Sequence, residues 1–148
     1  VRPGADELAR ALSQAGGEVT VCPEADEGMG RTLAHAVREA GETSGYVVAL
    51  ADMPFIAPET IGQVASKVAA GAWIVAPMYR GERGHPVGFS GALRTALEAL
   101  RGDAGARDMV QAQRERLEMI ESGDPAVLRD VDTLDALSLQ PAMPSSSR

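Results

Sequence analysis

An unbroken apolar run, Tyr46-Val47-Val48-Ala49-Leu50-Ala51, ends in a carboxylate at Asp52, with Met53-Pro54 behind it. Strands buried on both faces read as continuous apolar runs, and ligands of open α/β sheets gather at the carboxyl ends of such strands. Asp52 is therefore a candidate ligand for a metal or a phosphate site; the plainer alternative is a turn or cap residue ahead of Pro54. A second acidic group, Asp130-Val131-Asp132-Thr133, falls near the end of the last expected strand. Two carboxylates at neighbouring strand ends can hold Mg²⁺, which takes one or two carboxylates plus substrate phosphates. Asp132 and Thr133 can equally cap a following helix, and the two roles are compatible.

His85 lies in the glycine-rich segment Arg80-Gly81-Glu82-Arg83-Gly84-His85-Pro86, where glycine permits close backbone approach and the arginines suit anionic groups. A solvated loop histidine is the equal alternative. Neither a G-x-x-x-x-G-K-[ST] loop nor a G-x-G-x-x-G motif is present. Gly28-Met29-Gly30 starts like the latter but breaks at Leu33, and read alone it is an ordinary helix start, although phosphates also bind at helix starts. Cys22 is the single cysteine. It excludes a disulfide within these residues and a multi-cysteine metal cluster, and reads as a buried structural thiol. A cysteine nucleophile would need a base, and His35 and His85 are the only histidines.

These residues must be positioned by an alternating pattern of helices and strands. Leu8, Ala11, Leu12 and Ala15 keep helical spacing before Gly16-Gly17, and Glu18–Cys22 reads as a short strand closed by Pro23. A helix is predicted from about Gly30 to Ala40. After the strand that ends in Asp52, Pro58 and Glu59 suit a first helical turn, and Ile61, Val64, Ala65, Val68 and Ala69 form a stripe. Trp73–Pro77 returns as a strand, so residues 45–77 make a right-handed βαβ unit in a largely parallel sheet. Val87-Gly88-Phe89 reads as a hairpin strand over the sheet. Ser90 caps a helix carrying Leu93, Ala96, Leu97 and Leu100, and another helix starts near Asp108. Strands at Leu117–Ile120 and Val127–Asp130 and a helical turn at Leu134–Leu137 complete the pattern. The Pro- and Ser-rich tail reads as disordered. The expected organisation is one domain over residues 1–138 and a loose tail over 139–148.

With 148 residues, one core is the default, and such a chain buries roughly 68–70% of its unfolded surface. Aromatics supply only 3% of the chain, so aliphatic side chains fill that core. A net charge of −7 and the absence of a basic run argue against nucleic acid as a partner, since counterion displacement needs Lys and Arg. No apolar run approaches the ~20 residues of a membrane span, and no signal peptide opens the sequence, so a cytoplasmic location is expected.

Leu50-Ala51-Asp52-Met53-Pro54-Phe55-Ile56, Arg83-Gly84-His85-Pro86-Val87-Gly88-Phe89, Leu100-Arg101-Gly102-Asp103-Ala104-Gly105-Ala106-Arg107 and Asp130-Val131-Asp132-Thr133 follow one another in this order. In that order they resemble the molybdenum cofactor cytidylyltransferase family, and Gly28-Met29-Gly30-Arg31-Thr32-Leu33 is similar to its Gly-Met-x-x-Ser-Leu helix start. The resemblance covers nearly the whole chain up to the tail. It implies an α/β, Rossmann-like, three-layer nucleotidyltransferase fold of the glycosyltransferase-A type with a mostly parallel sheet. It also implies transfer of CMP from CTP to the phosphate of molybdopterin, with release of pyrophosphate. By the same resemblance, Asp52 and Asp132, with Asp130 as the neighbouring choice, are the catalytic metal-binding carboxylates, and Mg²⁺ is the metal. Gly28, Met29 and Thr32 lie against the nucleotide base, and His85, Pro86, Asp103 and Arg107 line the pterin side. The Gly-His-Pro and Gly-Asp-x-Gly-Ala-Arg segments favour CTP over GTP.

The family's opening strand and its Leu-Ala-Ala-Gly-x-Ser-x-Arg-x-Gly triphosphate loop have no counterpart here, and Cys22-Pro23 stands where Asn-Pro is common. The resemblance therefore implies a chain lacking the first strand-loop-helix-strand, crippled by itself, with an exposed edge that invites a homodimer. Two other readings compete. A non-catalytic remnant would bind a molybdoenzyme or its chaperone, and a sugar-nucleotide glycosyltransferase would use Asp130-Val131-Asp132 for its metal.

Overall fold

The computed structural model describes residues 1–103 and 105–132. The helical turn expected at Leu134–Leu137 and the tail lie outside the described residues. In chain order the elements are α1 (Asp6–Gln14), α2 (Met29–Ala40), β1 (Gly45–Val48), α3 (Pro58–Ala69), β2 (Ile74–Tyr79), β3 (Glu82–Arg83), β4 (Val87–Ser90), α4 (Arg94–Glu98), α5 (Arg107–Ala112) and β5 (Leu117–Glu121). Short 3₁₀ turns occupy Ala25–Glu27, Gly91–Leu93, Arg114–Arg116 and Pro125–Leu128.

The period of two along the strands sends alternate side chains to opposite faces, and it makes three layers here. On one face Tyr46, Ile74, Ala76, Val87 and Phe89 pack with Val37 of α2, Leu97 of α4 and Val110 of α5. On the other, Val75, with Val47 beside it, meets Val64 and Val68 of α3. Ile74, Val75 and Ala76 are wholly shielded from solvent, and burial of a Val or Ile side chain stabilises by roughly 1.5–3 kcal/mol. β2 is thus the strand on which the fold rests. The Pro58 start, Glu59 in the first turn and Lys67 in the last turn favour α3 in the sense expected from its dipole.

β1, β2 and β5 run in the same direction, but they are not all neighbours. β5 pairs with β2 in parallel from Ile74↔Leu117 to Met78↔Glu121. β4 pairs antiparallel with both β1, from Gly45↔Ser90 to Val48↔Val87, and β2. The segment read as a hairpin over the sheet is therefore a strand inside it, because Val87 and Phe89 are as apolar as their neighbours and fill the gap left by the crossover. β3 makes only a two-pair hairpin with β2, through Met78↔Arg83 and Tyr79↔Glu82.

Three predicted elements change. Glu18–Cys22 forms no strand: Val1 meets it, its amine donating to the Thr20 carbonyl at 2.7 Å and its carbonyl accepting from the Cys22 amide at 2.8 Å. A strand persists only where a ladder satisfies its edge, and one residue is too little. Val127–Asp130 is replaced by the 3₁₀ turn Pro125–Leu128 followed by extended backbone, because Asp124 caps it and Pro125 starts it. Ser90 does cap, accepting from the Ala92 amide at 3.3 Å, but the first turn is 3₁₀ and α4 begins only at Arg94.

Candidate active site

β1 ends at Val48, and Asp52 follows in an exposed turn. The Asp52 carbonyl accepts a hydrogen bond from the Val131 amide at 2.7 Å, so the two acidic segments read from the sequence meet in space. Asp130 and Asp132 are exposed residues flanking that amide. A second tie joins the segments, since the Arg129 guanidinium lies over the Phe55 ring, 5.0 Å from its centre.

The platform beneath this junction is residues 124–131. Asp124 holds two elements: its Oδ2 accepts from the Ala57 amide at 2.8 Å and the Thr60 hydroxyl at 3.3 Å, at the start of α3. Its Oδ1 accepts from the Ala126 amide at 2.9 Å. Met53 and Ile56, on the Asp52 turn, pack with Ala126. Val127 is fully buried, and its carbonyl accepts from the His85 amide at 2.9 Å. Gly84 makes this approach possible: a Cβ there would come within 2.4 Å of the Val127 carbonyl oxygen. One platform thus positions Asp52, His85, Asp130 and Asp132.

The His85–Pro86 peptide is cis, and Pro86 is buried. His85 is half-buried and its Nδ1 is buried without a hydrogen-bond partner among the described residues. Burial lowers the His85 pKa below its ordinary value of 6.5, the Arg83 charge lowers it further, and the Asp52 carboxylate opposes both. The ring is therefore held neutral within the field of Asp52, with an uncommitted nitrogen.

A second group forms at the start of α2. Gly28 has φ 112°, and a Cβ on it would collide with the Gly102 carbonyl carbon at 2.5 Å and the Asp103 carboxylate at 2.6 Å. The Gly30 amide donates to the Gly102 carbonyl at 2.7 Å. Met29 is exposed and borders Gly105. The glycine-methionine start and the Arg101–Asp103 loop, far apart in sequence, are therefore one surface. Thr32 is exposed one turn along α2, and Arg107 is exposed at the first position of α5. The Tyr46 hydroxyl donates to the Gly41 carbonyl at 2.7 Å, pinning the end of α2 to the start of β1.

Asp52, Asp130 and Asp132 do not close into a three-ligand cluster. Among the described residues the one such set is Cys22, Glu24 and His35, whose ligand atoms all lie within 4.8 Å of one another. The sequence reading missed Asp124 and Val127. Asp124-Pro125 is a cap-plus-first-turn signature that could have flagged the former.

Comparison with known proteins bears on the fold and the family. Residues 1–117 match the MobA-like NTP transferase domain. Among solved structures, the manganese complex of Rv0371c from Mycobacterium tuberculosis H37Rv superposes with a TM-score of 0.74 at 28% identity, over 93% of this chain and 72% of that one. A nucleotidyl transferase from Methanothermobacter gives 0.72 at 22% identity, over 92% of this chain and 67% of that one, and shares the fold. Molybdopterin-guanine dinucleotide biosynthesis protein A from Archaeoglobus fulgidus gives 0.58 at 18%, over 93% and 73%, and again shares the fold. No curated protein matches the sequence. The match over residues 1–117, most of the chain, places it in the MobA-like NTP transferase family.

Proposed function

We propose that the site binds CTP with Mg²⁺ and transfers CMP to the terminal phosphate of molybdopterin in the cytoplasm. A phosphate oxygen of the pterin attacks the α-phosphorus in line. The new bond is O–Pα, the bond that breaks joins Pα to the bridging oxygen of the β-phosphate, and pyrophosphate leaves with that electron pair. Such chemistry requires positioning and charge neutralisation and no covalent nucleophile. The observation that carries the reading is the hydrogen bond from the Val131 amide to the Asp52 carbonyl, which brings Asp52 beside Asp130 and Asp132.

The donor set fits a hard divalent ion: exposed carboxylate oxygens, in a number that leaves room for substrate phosphates and water. Asp52 and Asp132, or Asp130 in its place, would hold it, and when bound it would neutralise phosphate charge. The manganese in the Rv0371c complex supports a divalent ion in this fold. Asp52 keeps its carboxylate beside the substrate phosphates, Gly28 and Met29 offer a shelf for the base, and neutral His85 with Pro86 lines the acceptor side.

Calorimetric titration with Mg-CTP and, separately, Mg-GTP tests the reading. CTP binding in the micromolar range, weakened at least tenfold in Asp52→Asn, is the expected result. Preference for GTP would overturn the nucleotide assignment, and binding of neither would favour a remnant that docks a molybdoenzyme or its chaperone.

A further inference from the structure

The family reading uses neither Cys22 nor His35, yet the fold brings both to Glu24. Cys22 is 1% exposed, while Glu24 and His35 are half-buried, so the group has a closed side and an open one. The Cys22 Sγ lies 4.0 Å from the Glu24 Oε2, and one ligand atom from each of the three residues falls within 4.8 Å of the other two. Tetrahedral zinc with a Zn–S bond of ~2.3 Å and a Zn–O bond of ~2.0 Å separates sulfur and oxygen by ~3.5 Å, about half an ångström less than this pair stands apart. The His35 ring is already oriented, its Nε2 standing 2.8 Å from the Thr20 hydroxyl. A hydrogen bond at one ring nitrogen is the usual companion of metal binding at the other. Glu24 has no ion pair among the described residues, and the nearby Arg31 is engaged by Glu27 at 2.7 Å. The carboxylate is therefore not committed to a cation of the protein.

We propose that Cys22, Glu24 and His35 form a zinc site, with water as the fourth ligand, separate from the carboxylate site at Asp52. Thiolate, imidazole and carboxylate together select a borderline-soft ion such as Zn²⁺, whereas the all-oxygen set at Asp52 selects Mg²⁺ or Mn²⁺. The ion has a structural task. The segment from Thr20 to Glu24 lacks a sheet ladder, and coordination ties it to the middle of α2, the helix whose first residues are Met29 and Gly30. A single cysteine rules out a multi-thiolate cluster but not this mixed set, which the sequence hides because the ligands come from two different elements.

The test uses the full chain, stripped with chelator and titrated with Co²⁺ as a spectroscopic stand-in and then with Zn²⁺. One equivalent of Co²⁺ should produce a sulfur-to-metal charge-transfer band in the near ultraviolet, which Zn²⁺ abolishes and excess Mg²⁺ does not. Asp52→Asn should retain the band. Cys22→Ser should lose it, and Glu24→Gln and His35→Gln should each weaken binding by roughly tenfold or more. Because Cys22 is buried, its variant is checked for folding by circular dichroism, and the half-buried Glu24 and His35 variants carry the test if it fails to fold. Zn²⁺ should also raise the melting temperature of the unmodified chain. No charge-transfer band in the unmodified chain, or a band indifferent to both Glu24→Gln and His35→Gln, would overturn the proposal.

Discussion

At the scale of single residues, His85 reports on the site. Its pKa is lowered by burial, then by Arg83, and is partly restored by Asp52. A histidine whose folded pKa is depressed favours the neutral form in the folded state. Its contribution to stability is complete above the ordinary pKa of 6.5 and is lost as pH falls through the folded value. Asp52→Asn removes the one influence that favours the charged ring, so the His85 pKa should fall further. A ring-proton NMR titration checks both statements; a His85 pKa above 6.5, or one that rises in Asp52→Asn, would contradict them. The apolar run that drew attention to Asp52 is only partly a strand: β1 is a half-buried edge strand that stops at Val48, and Asp52 follows in an exposed turn. His85 was visible as a candidate but not its lowered pKa, which is set first by burial in the folded chain; its place there is fixed by the Val127 carbonyl, 42 positions away, which accepts from its amide.

At the scale of elements, Asp124 matters more than its place in a loop suggests. It joins the start of α3 to the turn Pro125–Leu128 through three hydrogen bonds. Asp124→Ala leaves two amides and a hydroxyl without that acceptor and should cost about 1–3 kcal/mol. The denaturant midpoint should drop with an unchanged slope, and nucleotide affinity should weaken although no proposed substrate-contacting residue has changed; full affinity in the variant would show that the platform does not position Asp52. The helices α2 and α3 and the strands β1, β2 and β5 were readable, since their spacing and end signals agree. The segments that misled share one physical cause. Glu18–Cys22, Val87–Phe89 and Val127–Asp130 are short apolar runs, and whether such a run becomes edge, centre or turn is decided by its neighbours in space. Val87–Phe89 gained two neighbours and became central, Glu18–Cys22 found no ladder among the described residues, and Val127 went beneath the site.

At the scale of the molecule, stability is unevenly distributed. β2 lies between β4 and β5 and is buried on both faces, whereas α1 has no buried residue and leaves Leu8 54% and Leu12 43% exposed. Backbone amides open locally with free energies that follow this burial. Native-state hydrogen exchange should therefore be faster in α1 than in β2 by orders of magnitude; equal protection would mean that another surface covers α1. The platform at 124–131 has a further consequence, for synthesis. Chains emerge amino end first, so β1 and the glycine-rich loop are made well before the segment that aligns them. The two carboxylate segments can meet only after that later stretch has cleared the ribosome. A nascent chain halted before residue 124 would have β1 and β2 in place but would lack the segment that joins Asp52 to Asp130 and Asp132, so the junction is completed only after the elements it joins have been made.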